Sequence, residues 1–142
     1  MKQIILTLFS FFVCLKMTAQ DLTADQVYEL LQSYEWSALH FGRPYSFTFS
    51  PTVFHFRMYK TESSNYECDD DFYLSDTADT VFVASKMGQA QGSHYIISKE
   101  PGNRASWLEI VSISSDHLTL RSSHNAVHEL TACPKQGGNT PE

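Results

Sequence analysis

Between residues 22 and 34 the apolar side chains recur with helical spacing. Val27, Leu30, Leu31 and Tyr34 follow the i, i+3, i+4, i+7 rule of a single apolar face. Thr23 stands three residues before Gln26, the pattern of a capping box, with Leu22 and Val27 placed as a hydrophobic staple. The spacing predicts one helix over 22–33 that covers an end of the core. Beyond it the period falls to two. Tyr45, Phe47 and Phe49 alternate with Ser46, Thr48 and Ser50, and Phe54, Phe56 and Met58 alternate with His55, Arg57 and Tyr59. Ser50-Pro51-Thr52 between them is a turn signal, so the two runs read as a hairpin. Further strands are predicted over 34–41, 72–75, 80–86, 93–99, 107–114 and 118–122, with 127–133 as a ninth candidate. Helical crossovers are missing between these runs, which excludes a parallel α/β sheet. About eight short antiparallel strands at this spacing predict an all-β domain, either an up-and-down barrel or a β-sandwich.

The first residues carry a different message. Met1-Lys2-Gln3 is followed by an apolar run from Ile4 to Leu15 and then by Thr18-Ala19-Gln20. A basic start, a short apolar stretch and a small residue near the end form a secretory signal, and the run is shorter than the ~20 residues of a membrane span. The expected organisation is a signal peptide over 1–20 and a single β domain over 21–142, with a C-terminal tail from about residue 123. Export to the periplasm or beyond follows. Removing residues 1–20 takes away two lysines and no acid, so the net charge moves from −6 to −8. That charge argues against nucleic acid and anionic membranes as partners. It also leaves two cysteines, Cys68 and Cys133. In an exported chain such a pair predicts a disulfide, which would close a loop of about 65 residues, worth roughly 4 kcal/mol in the chain-entropy picture.

The strand that opens the meander contains Ser33-Tyr34-Glu35-Trp36, and the stretch from Trp107 to Arg121 reads as a hairpin ending in Leu118-Thr119-Leu120-Arg121. A short helix, an early tryptophan, a sequential meander and a late arginine resemble small secreted bacterial lipocalin-like (calycin-type) barrels. The resemblance spans about residues 30–122. It implies an eight-stranded antiparallel up-and-down barrel with one short N-terminal helix. It also implies that Trp36 plugs one end and that Arg121 packs across its indole, a cation–π pair with a structural role.

Candidate chemistry is sparse. His124 and His128 stand four apart with Glu129 beside the second, which makes them weak candidates for a metal site; the zincin pattern, with Glu directly after the first His, is not met. Glu67, Asp69, Asp70 and Asp71 surround Cys68 without the alternation of a calcium loop, and they would raise rather than lower its thiol pKa. The chain lacks a Gly-x-Ser-x-Gly elbow, a P-loop and a dinucleotide fingerprint. No catalytic residue and no cofactor is implied. Phe47, Phe49, Phe54, Phe56, Met58 and Phe82 fall on apolar faces and are either a filled core or the lining of a ligand pocket. The expected function is a non-enzymatic barrel that binds a small apolar molecule. Its alternative is a filled interaction module, an inhibitor or accessory subunit working on another envelope protein; a small hydrolase or isomerase on the same scaffold is the minor one. Neither requires a stable membrane span once the signal is removed.

Overall fold

In the computed structural model, residues 21–61 and 64–135 are described; the expected signal segment lies outside them. The helix α1 runs over Ala24–Ser33 and starts as its sequence requires: the Gln26 N–H donates to Thr23 Oγ1 and the Thr23 N–H donates to Gln26 Oε1. Eight strands follow: β1 Tyr34–His40, β2 Arg43–Phe49, β3 Val53–Thr61, β4 Ser64–Ser75, β5 Tyr95–Lys99, β6 Ala105–Ile113, β7 His117–Ser122 and β8 Val127–Pro134. Each pairs antiparallel with the next, and β8 pairs back onto β1, so the sheet is a closed barrel in sequence order. The barrel reading holds and the sandwich is excluded.

Alternation decides which side chains enter. Trp36, Phe47, Phe49, Phe54, Phe72, Leu74, Ile96, Ile110, Leu118, Leu120 and Leu130 form one buried cluster, joined by Val27 and Leu31 of α1. One end is therefore closed. The helix lies across it, the Trp36 indole N–H donates to the Leu31 carbonyl at 3.1 Å, and the Tyr28 hydroxyl donates to the Pro51 carbonyl in the β2–β3 turn. The opposite end carries the β1–β2, β5–β6 and β7–β8 turns, with the end of β3 and the start of β4. The β1–β2 turn has two central residues, Phe41 and Gly42, at φ 49° and 75°. That type I′ geometry matches strand twist but favours Asn-Gly, and a bulky side chain at the first position is strained by roughly 1–2 kcal/mol.

Two expectations about elements are corrected. The run 80–86 is not a strand. It belongs to the long β4–β5 segment, in which Ala84–Lys86 forms a 3-10 turn, and Phe82 packs on the outer face of the barrel against Tyr73 and Ile97. The Tyr73 and Phe82 rings lie 5.1 Å apart. The tail expected from about residue 123 contains β8, the ninth candidate strand over 127–133, which closes the ring. The segment over the outer face is tied at its ends. Asp76 Oδ1 accepts from the Ser93 N–H at 2.9 Å and lies 2.7 Å from His94 Nδ1, while Asp79 accepts from the Tyr73 hydroxyl at 2.8 Å and from Lys86 at 3.3 Å. Burial and the neighbouring Asp79 push the Tyr73 hydroxyl up to about 12.

The expected disulfide is also corrected, because both thiols are free. Cys68 on β4 and Cys133 on β8 belong to strands four places apart in an eight-strand ring. Cys68 shares the inward register of Phe56, whereas Cys133 lies against Ser37 on the outward register, 3.2 Å from its hydroxyl. A bridge needs Cα atoms within about 7 Å, which opposite walls of a barrel do not offer.

The Trp36–Arg121 pair does not form either. Trp36 faces in and is fully buried, whereas Arg121 faces out between Leu120 and Ser122 and pairs with Glu109 on β6 at 3.2 Å. The ion pair is half exposed, so replacing Arg121 by alanine is expected to cost only about 0–1 kcal/mol in a chemical unfolding titration. A loss several times larger would mean that the guanidinium supports the core.

Candidate mouth site

The β1–β8 ladder ends before its strands do. Its last pair is Ser37 with Thr131, yet β1 runs on to His40 alongside β2, and β8 begins at Val127 alongside β7. The two strands diverge at the open end. Between them lies a cleft of about 550 Å³, lined by Ala38, Leu39, His40, Tyr45, Ala126, Val127, His128 and Glu129.

Tyr45 and His128 meet at its inner wall. The Tyr45 hydroxyl lies 3.1 Å from His128 Nδ1, and the two rings stand edge to face at 5.9 Å. His40 approaches the same tyrosine edge to face at 6.5 Å. Burial pushes the Tyr45 hydroxyl pKa up, which keeps it protonated. Burial, followed by the neighbouring His40, pushes the His128 pKa down, so its imidazole is neutral at neutral pH. A neutral Tyr–His pair offers one donor and one acceptor beside the apolar Ala38, Leu39, Ala126 and Val127. That suits a small molecule with an apolar body and one polar group.

The predicted site residues are placed differently. Phe49, Phe54 and Phe47 are 1%, 6% and 7% exposed, and their rings pack on one another at 5.9–6.5 Å, so they fill the interior. Phe56 and Met58 lie on the same face nearer the open end, and Phe82 is outside the barrel. His124 sits exposed in the β7–β8 turn while His128 faces inward, so they do not share a face. Among the described residues no group of three or more His, Cys, Asp or Glu is arranged to hold a metal ion. Ala38, Leu39, His40, Tyr45 and Val127 were not singled out by sequence. Tyr45 continues the Phe47–Phe49 alternation, which marks its face but not its position at the rim.

A second polar group enters the barrel from β4. Asp70 lies opposite Phe54 in the inward register, and the nearby Glu100 accepts from Ser106, which in turn bonds Ser98 at 2.7 Å. Burial raises the Asp70 pKa, with Glu100, Asp69 and Asp71 adding to it; the Cys68 thiol rises through burial and Asp70. The folded protein thus holds the Asp70 proton more tightly than the unfolded chain does. Its contribution to stability is fully present below the unfolded value of 3.8 and is lost as pH rises through the folded one. Asp70→Asn is expected to melt above wild type at pH 7, with the difference closing below about pH 4. A variant that melts lower at pH 7 would show that the carboxylate is satisfied.

Comparisons with known protein families, with curated proteins and with solved structures give no match for this chain. Among the described residues no helix is long and apolar enough to cross a membrane.

Proposed function

We propose that this barrel is an exported, non-enzymatic, lipocalin-like binder that takes a small, mainly apolar molecule in the cleft between β1 and β8. The observation that carries this reading is the divergence of the two strands around Tyr45 and His128. The interior is packed with aromatic rings, so the usable space is at the mouth. Ala38, Leu39, Ala126 and Val127 supply apolar contact, and the Tyr45–His128 pair supplies one polar anchor. None of the residues lining the cleft is a serine, cysteine, lysine or arginine. The one ionised wall residue, Glu129, disfavours an anionic guest, and the Tyr45 hydroxyl is the polar group held against His128.

The test uses the neutral fluorescent probe N-phenyl-1-naphthylamine. Saturable binding with one probe per chain is expected, and Ala38→Trp, which fills the cleft, is expected to weaken it by about tenfold or more. Equal binding by a folded Ala38→Trp variant would overturn the assignment. Native mass spectrometry of protein purified from its own host then identifies the guest and reads the mature N-terminus, expected at Gln20 or Asp21.

A further inference from the structure

The missing end of the β1–β8 ladder sets two histidines against each other. Continuing its register by three residues from Ser37 and Thr131 brings His40 opposite His128. That pair does not form, and the strands part there around the cleft. Tyr45 on β2 meets both histidines. Its ring lies 6.5 Å from His40 and 5.9 Å from His128, edge to face in each case, and its hydroxyl lies 3.1 Å from His128 Nδ1. Histidine is the side chain whose charge ordinarily changes just below neutral pH. Here two of them flank one cleft, beside Ala38, Leu39, Ala126 and Val127.

The charged and titratable groups around His128 fall into two sets. On its own strand Glu129 takes the outward register, opposite Thr119. β7 sets Leu120 beside His128, and the next residue, Arg121, points out to Glu109. β1 and β2 bring His40 and Tyr45 to it. Tyr66, Cys68 and Asp70 take the inward register of β4, four places round the ring, with Glu100 beyond the end of β5. Among these groups only His40 adds to burial in holding the His128 pKa below its ordinary value.

A proton on His128 changes what the cleft offers. In either neutral tautomer one ring nitrogen carries a hydrogen and the other accepts; in the cation both donate. Where Nδ1 accepts from the Tyr45 hydroxyl, the proton reverses that bond and turns the O–H away. Where Nδ1 already donates, the acceptor lost is Nε2. Both routes remove the acceptor nitrogen and place a charge beside apolar side chains, where an uncharged apolar guest cannot solvate it. A seated guest therefore favours the neutral imidazole and holds its pKa lower still. By linkage, affinity is full above the pKa of the empty site and falls as pH drops through it. A charge on His40 acts in the same direction, facing His128 where no ladder resists widening.

We propose, on the reading that the cleft is the guest site, that His40 and His128 form an acid-operated release: neutral, they admit an apolar guest, and protonated, they discharge it.

The probe N-phenyl-1-naphthylamine stays neutral from pH 7.5 to pH 5, so its own charge does not enter. Its affinity for the full mature chain is expected to fall about fivefold over that range, mostly below about pH 6.5. The affinity should return on neutralisation, with the far-UV circular dichroism unchanged throughout. His128→Gln keeps a donor and an acceptor but does not titrate. Whatever its affinity at pH 7.5, that value is expected to change by less than about twofold down to pH 5. His40→Gln removes the opposing charge. The His128 midpoint, followed by NMR of the imidazole, is expected to rise in that variant and to fall when the probe saturates the wild-type chain. Wild-type affinity that is flat with pH, or a fall that is as large in His128→Gln, overturns the release and leaves the guest site standing. A fall at pH 5 that comes with unfolding does the same. A chain that binds no probe at pH 7.5 overturns both, so the two failures are distinct.

Discussion

Replacing Trp36 by alanine is expected to destabilise the protein by about 3–5 kcal/mol, measured as a drop in the midpoint of urea unfolding. The indole is fully buried where β1 leaves the helix. It fills the closed end of the barrel beside Tyr34, whose ring stands edge to face at 5.5 Å, and its N–H holds the last turn of α1 through Leu31. Alanine would leave a cavity that the strands cannot collapse into, and a helix carbonyl without its partner. For a domain whose whole stability is on the order of 5–15 kcal/mol, that is a large share. Trp36→Phe keeps most of the volume and loses only the hydrogen bond, so it should fall between the two. If Trp36→Ala unfolds at the wild-type midpoint, the helix does not cap this end in solution.

Gly92→Ala is expected to destabilise by about 2–4 kcal/mol through a different cause. A methyl group at Gly92 would lie 2.2 Å from the Ser75 carbonyl carbon and 2.3 Å from the Asp76 nitrogen. Both are backbone atoms, so the chain itself has to move. The next residues are fixed in place: Ser93 N–H donates to Asp76, and His94 N–H donates to the Ser75 carbonyl at 3.3 Å. Displacing them lifts the β4–β5 segment and uncovers Tyr73, Phe82 and Ile97. Hydrogen exchange at Ser93 and His94 should speed up, and emission of Trp107, which packs with Tyr95 at 5.4 Å, should shift to the red. Gly42→Ala separates space from backbone angle: nothing lies within 4 Å of its added carbon, but its φ is +75°, so it should cost only about 1 kcal/mol. Equal losses for the two variants would sink the steric argument.

The helix and the β2–β3 hairpin were legible because their signals are local. A cap three residues away and a strict alternation depend on nothing distant. The run 80–86 misled for the converse reason. Thr80, Val81, Phe82 and Val83 have strand-like side chains, but the run makes only an isolated antiparallel bridge from Val81 to Arg104, and Phe82 serves as a plug on the outside. The outer half of β4, from Ser64 to Asp71, was invisible because the open end has little core behind it, so its inward positions are Tyr66, Cys68 and Asp70 instead of aliphatic residues. β8 was legible only as the ninth candidate over 127–133, since its inward positions begin with His128. Cysteine number suggested a bridge, but only the ring geometry shows that one thiol faces in and the other out. The cleft depends on where a ladder stops, which no single segment encodes. Phe41 fell inside the run 34–41 read as strand, whereas β1 ends at His40 and Phe41 stands in the turn.

The short ladder between β1 and β8 also sets an order of events. Seven of the eight strand junctions join neighbours in sequence, and each can zip from its own connection. The eighth joins Tyr34 to Pro134 and Ser37 to Thr131, partners about a hundred residues apart, so it bears the greatest loop-closure entropy of any contact in the molecule. During refolding a curled but open meander should precede the ring, with protection at Ser37 and Thr131 appearing last. Under native conditions the same junction should be where the ring first breathes.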